Sequence, residues 1–233
     1  MSRAFPLVPA TSPWAASLGR LLWLSTVLSP LARRGAFSRL GRFYPWMIAI
    51  VHVALFGWSR RSPDVRPAAV VAAAVGLMSW AGGGAVAWGA ATDSQPDDRE
   101  RGLMTIASER GIPRGEQRLA RALSTMRVVA RAVGLPGASL ALVSGVAAPE
   151  GHRVTFALAL SLSVAVYASL LGVVLGGIAR LSALASPRHG RVLFALIVVG
   201  PYALPSELGS APSIVRLFSA LLERIASLGG SVG

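Results

Sequence analysis

Long runs without a charged residue alternate along this chain with short segments crowded with arginine. Charge-free windows cover Phe43–Ser59 (17 residues), Pro67–Thr92 (26), Ala132–Pro149 (18), Val154–Ala179 (26) and Val192–Ser206 (15). A helix rises about 1.5 Å per residue and the bilayer's hydrocarbon core is about 30 Å thick, so roughly 20 apolar residues make a span. The first four windows therefore predict membrane-crossing helices. The fifth is short and carries Gly200-Pro201 and Pro205, which interrupt a helix. It predicts a partial or re-entrant crossing that continues past Glu207.

The flanks follow other patterns. Trp14–Ala32 holds an apolar run, Leu21–Leu28, followed by Pro30 and the pair Arg33-Arg34. That run is short, begins late and offers no clear small-residue cleavage site, which argues against a secretory signal. It predicts an interfacial helix with Trp14 and Trp23 at headgroup level. From Pro212 onward Ile214, Leu217, Phe218, Leu221, Leu222, Ile225 and Leu228 recur at three and four, with Arg216, Glu223 and Ser227 opposite and Gly229-Gly230 as a stop. This is the pattern of an amphipathic helix lying on a membrane or a partner. The expected architecture is an all-α polytopic transmembrane bundle of five to six spans. An amino-terminal interfacial segment fills 1–42, the transmembrane domain 43–206, and a re-entrant and amphipathic carboxyl-terminal segment 207–233.

Composition agrees with the pattern and removes several chemistries. Of 233 residues 53% are hydrophobic and 14% charged, against roughly a quarter charged in soluble domains; the mean hydropathy is +0.58. All 23 basic residues are arginine. Without lysine there is no phosphate-binding loop of the Walker type and no Schiff-base catalysis. Without cysteine there are no disulfides, thiolate metal sites or cysteine nucleophiles. The net charge of +13 does not point to nucleic acid, because the arginines punctuate apolar stretches instead of forming a basic face with interleaved aromatics. With the amino terminus inside, 17 arginines fall in the cytoplasmic segments and six on the other side, the bias that retention of positive charge produces. Arg60 and Arg61, after the first window, run against it.

One segment carries a functional signal. Asp93 to Arg131 contains six acids and eight arginines, and its plainest reading is a solvated loop. Within it Asp98-Arg99-Glu100-Arg101-Gly102-Leu103 precedes Arg110-Gly111-Ile112-Pro113-Arg114, with Arg118 and Arg121 leading into the third window. This order resembles the loop after the second span of type-2 ATP-binding-cassette (ABC) exporter permeases, which reads E-R-E-x-G-T-L before a turn with glycine or proline and further basic residues. Aspartate stands for the first glutamate, and Leu103 comes one place early because the family's threonine is missing.

The resemblance implies a coupling helix in the loop 93–121, with Asp98, Arg99, Glu100, Arg101, Gly102, Leu103, Ile106, Gly111, Pro113 and Arg114 as the contact set for an ATPase subunit. Acids at the start of a helix complement its dipole, and Leu103, Ile106 and Ala107 share a face that suits a partner's groove. It further implies a permease subunit of an ATP-driven exporter that is not itself an enzyme. ATP and magnesium would be bound by ABC ATPase subunits, beside a second permease subunit, in the membrane lipid of a bacterial cytoplasmic membrane. The alternative is a non-transporting membrane anchor or assembly factor of a larger complex.

Other candidates carry less. His52, inside the first window, is read as a neutral histidine bonded to a backbone carbonyl in preference to an intramembrane functional group. His152 and His189 lack a second ligand at helical spacing, so no metal site is expected. Glu207 is most simply a partner of Arg216. Gly172 and Gly176, at small-xxx-small spacing, and Gly82-Gly83-Gly84 are packing devices.

Overall fold

The computed structural model describes residues 13–37, 44–61, 67–92, 98–145 and 153–200, and every statement about elements and contacts concerns these. They are almost entirely helical, with no strand. In order they form α1 (Pro13–Phe37), α2 (Tyr44–Arg61), α3 (Pro67–Met78), a π-helical turn (Ser79–Gly84), α4 (Ala85–Ala90), α5 (Asp98–Glu109), α6 (Arg114–Ser144), α7 (Arg153–Ala185) and α8 (Gly190–Val198).

Three helical stretches are long and apolar enough to cross a membrane: Val70–Ala90, Arg114–Ser144 and Arg153–Ala185. They contain most of the windows Pro67–Thr92, Ala132–Pro149 and Val154–Ala179. Residues 44–59 of the first window lie in α2, which is 18 residues long but ends on Arg60-Arg61 and falls outside that set. The last window begins in the nine-residue α8 and runs beyond the described residues, as does the amphipathic carboxyl-terminal segment. The described residues thus show three such helices where five to six spans were expected. The outer face of α7 bears Val154, Leu158, Leu162, Val166 and Leu170, four apart and all exposed. A contiguous apolar stripe of this size belongs against lipid or another protein.

In lipid, burial of apolar side chains does not itself drive helices together, so close packing of small residues must. The seam between α6 and α7 is built that way. A Cβ on Gly172 would stand 2.5 Å from the Met126 carbonyl oxygen, one on Gly176 would stand 2.8 Å from Met126 Cγ, and one on Gly134 would stand 3.1 Å from Ala168 Cβ. Gly137 meets Val164 and Gly145 meets Ala157 in the same way. Numbers fall on α7 as they rise on α6, so the helices are antiparallel and glycine lines their contact from end to end. The stretch Val70–Ala90 closes the core with Val71, Val75 and Met78 against Val129, Val133, Val164 and Leu171.

Two polar features tie the bundle. Ser79 Oγ donates to the Val75 carbonyl at 2.7 Å, so the buried Tyr167 hydroxyl, 3.0 Å away, donates to Ser79. This pair marks the start of the π turn. His52 Nδ1 lies 2.8 Å from the Ile48 carbonyl and Nε2 lies 3.1 Å from Ser139 Oγ. The carbonyl accepts from Nδ1–H, and Ser139 Oγ, which donates to the Pro136 carbonyl at 2.8 Å, faces Nε2 with its lone pairs. The histidine thus caps its own helix backbone, as the sequence suggested, and links α2 to α6 near Pro136.

Candidate functional site

The charged segment is a helix, a turn and the first half of a second helix. At 31 residues α6 is about 46 Å long, some 16 Å more than the hydrocarbon core. Its arginine-bearing first half, Arg114 to Arg131, therefore extends outside the charge-free run that begins at Ala132. The same end of the bundle gathers the other arginine-rich junction: Thr92 Oγ1 donates to the Pro187 carbonyl at 3.1 Å, Gly190 abuts the Ala91 carbonyl, and Arg180 Nε donates to Thr125 Oγ1 at 3.3 Å. The arginines of 99–131 and of 180–191 thus share one end.

Gly111 ends α5. Its φ is +69°, a conformation open to glycine without a Cβ penalty. Its N–H bonds the Ser108 carbonyl at 2.9 Å, and the Ile112 N–H bonds the Ala107 carbonyl at 2.9 Å. These two bonds form a Schellman cap, which satisfies carbonyls that the helix end leaves open and turns Ile112 back onto the helix. Pro113, with φ −60° and ψ 146°, is extended and starts α6; Gln117 Nε2 then donates to the Ile112 carbonyl at 2.9 Å.

This helix–turn–helix does not stand free. Leu24 and Leu28 of α1, Ala107 of α5, Ile112 of the turn and Ala120 of α6 make a second small core, with Leu21, Leu103 and Met104 against it. At its rim Arg20 holds Glu116 through both carboxylate oxygens, 3.1 and 3.2 Å, and Ser17 donates to the same carboxylate at 3.1 Å. The carboxylate's hydrogen bond and charge raise the pKa of the Arg20 guanidinium. Farther along, Arg127 Nη1 donates to Thr26 Oγ1 at 2.7 Å and to Ser25 Oγ at 3.2 Å. α1 therefore runs alongside α6, in the same direction, from Glu116 to Arg127. Rather than lying alone on a membrane surface, it is one wall of a three-helix module.

The contact set separates on this scaffold. Asp98, Arg99 and Glu100 form the first turn of α5. Arg101 and Gly102 are exposed, as are Gly111, Pro113 and Arg114. Ile106 points outward at 44% exposure, whereas Leu103 is half-buried and Ala107 is buried in the chain's own small core. The face shared by Leu103, Ile106 and Ala107 is thus divided: Ala107 holds the module, and only Ile106 remains fully available to a partner. Sequence reasoning missed Leu24, Leu28, Ile112, Arg20, Glu116 and Arg127. The three-and-four spacing of Leu21, Leu24 and Leu28 was the available signal for a docked helix, and an acid three residues into α6 was the signal for Glu116.

Elsewhere the chemistry is sparse. No group of three metal-ligating side chains occurs among the described residues. The backbone N–H of His189 is 3.3 Å from Ser186 Oγ at the start of α8. His152, Glu207 and Arg216 lie outside the described residues. Compared with protein-family models, curated proteins and solved structures, the chain has no match.

Proposed function

We propose that this chain is the permease subunit of an ATP-driven ABC exporter, coupled to a separate ATPase subunit through α5. One observation carries the reading. The helix that holds the Asp98-to-Gly102 motif follows a long apolar helix, stands at the arginine-rich end, and joins through a rigid glycine cap to α6, which continues unbroken into the bundle. A displacement of α5 is transmitted to the membrane by a rod instead of being absorbed by a loop.

In this account ATP and magnesium bind the partner, since a chain without lysine has no phosphate-loop lysine of its own. The glycine-lined contact between α6 and α7 leaves no room for cargo, so the path runs between this chain and a second permease subunit. α2 and the segment from α8 onward supply the remaining crossings of a five- or six-span domain. The arginine-rich end faces the cytoplasm of a bacterial cell, as retention of positive charge requires.

Reversing one charge tests the coupling. Glu100→Arg should weaken association with the ATPase subunit by roughly thirtyfold, the effect of about 2 kcal/mol for a mispaired interface charge, while the chain stays in the membrane at normal level. Quantitative co-purification from membranes reads this out. Unaltered recovery of a nucleotide-binding subunit would sink the assignment of α5, and recovery of a large assembly with no such subunit would favour the anchor.

A further inference from the structure

We infer that the groove between α1 and α6 at Arg127 and Arg131 is a binding site for the headgroup of an anionic phospholipid. The inference requires only that the bundle sits in a membrane, and stands apart from the exporter reading.

Arg127 and Arg131 are one helical turn apart, about 6 Å, immediately before the charge-free run that starts at Ala132. With the run from Ala132 set in the hydrocarbon core, the two guanidiniums fall near the depth of the lipid phosphates. The same face of α6 then continues with Leu135, 69% exposed, and Leu142, 51% exposed. Two guanidiniums followed by exposed leucines along one helix face match an amphiphile: phosphate above, acyl chain below. α1 completes the groove. Its Ser25 and Thr26 hydroxyls hold the Arg127 guanidinium at 3.2 and 2.7 Å, which fixes one side of the fork and leaves its other donors for a phosphate. Leu22 and Trp23, exposed one turn before Thr26, flank the site, and tryptophan favours the headgroup level.

Charge selects the lipid class. Arg20 is paired with Glu116, and no described carboxylate is ion-paired with Arg127 or Arg131. Glu116 is 11 residues before Arg127 on α6 and already engaged. A net-negative headgroup meets this pair favourably, whereas the ammonium of a zwitterionic headgroup is repelled by it. Basic residues at the cytoplasmic surface each add about fivefold in binding to anionic lipid.

The test uses the purified full chain in nanodiscs of phosphatidylcholine with or without one-fifth phosphatidylglycerol, with retained lipid measured by native mass spectrometry after transfer to detergent. The wild type should retain phosphatidylglycerol in preference to phosphatidylcholine. Arg131→Gln should lower that preference about fivefold and Arg127→Gln with Arg131→Gln roughly twenty-fivefold. Arg131 makes no described contact to α1, so its single variant should unfold at the wild-type temperature in pure phosphatidylcholine, separating lost binding from lost folding. Equal retention of the two lipids, or full retention by the double variant, would overturn the site. So would an equal loss on changing Arg188 and Arg191 to glutamine, which would mean general charge attraction. Displacement of the lipid by millimolar inorganic phosphate would also overturn it, by showing an ion site with no acyl-chain contact.

Discussion

Gly172→Val should strongly destabilise the bundle by forcing α6 away from α7. The added carbon at Cβ alone would lie 2.5 Å from the Met126 carbonyl oxygen, 3.0 Å from Ala130 Cβ and 3.2 Å from the Ala130 backbone nitrogen. Two of these neighbours are backbone, so no rotamer change relieves the clash and α6 must move away from α7. Overpacking of a tight core costs about 1–3 kcal/mol when side chains can adjust; with backbone on the far side the expected loss is at least about 3 kcal/mol. Thermal unfolding in detergent, followed by tryptophan fluorescence, measures it. Gly76→Ala is the control, because nothing lies within 4 Å of a Cβ there and alanine is the better helix former by roughly 0.5–1 kcal/mol. It should leave the transition unchanged or raise it. Similar losses at both positions would contradict the glycine seam.

Ala107→Asp should undock α5 without dissolving the membrane bundle. Ala107 is 1% exposed and packed with Leu24, Leu28, Ile112 and Ala120. A carboxylate placed there would sit among apolar side chains, and burying such a group unpaired costs roughly 3 kcal/mol or more. That cost matches the roughly 1.5–3 kcal/mol that burying one of its leucines supplies, so it removes a large share of what holds α5 in place. Limited trypsin digestion gives the readout, since Arg101, Arg110 and Arg114 all border the module and are exposed as side chains yet held in helix or capped turn. Cleavage after these residues should accelerate at least tenfold while the segment from Val154 to Ala179 stays intact. Ile106→Asp, one residue away on the outer face, should leave cleavage as in the wild type. An equal acceleration in both variants would show that α5 is not docked through Ala107.

These two sites differ in how openly the sequence declared them. The α6 and α7 windows were legible because they lack charge over 18 and 26 residues, and the Gly172–Gly176 spacing announced close approach. Their partner on α6 was not legible, because Met126 and Ala130 sit among arginines in a stretch read as loop. A criterion that stops a span at the first charge cannot see that a helix continues past it, and α6 does so for several turns before Ala132. The π turn at Ser79–Gly84 was visible only as a glycine run; its cause lies in tertiary contacts with Tyr167 and with Val129, Val133 and Leu171 around Gly83.

At the candidate site the motif located α5 and the glycine that ends it, yet not what the helix leans on. Leu103, Ile106 and Ala107 form one apolar face in any helix, and periodicity does not say whether the chain or a partner covers it. The answer depends on α1, about 80 residues earlier, whose Leu24 and Leu28 cover the Ala107 side of that face and leave Ile106 exposed. Ser25 and Ser29 are buried on the inner side of α1 as well. Ser25 meets Arg127, and Ser29 bonds the Ser25 carbonyl at 2.7 Å.

On the proposed function, the outer face of α5 meets an ATPase subunit. The most direct measurement places a photo-crosslinking amino acid at Ile106, which is 44% exposed and outside the small core, and identifies by mass spectrometry what it captures in intact membranes. The account predicts a single dominant adduct with a nucleotide-binding ABC ATPase, abolished by Glu100→Arg. Capture of lipid alone, or of a membrane-assembly protein with no nucleotide-binding subunit, would contradict it.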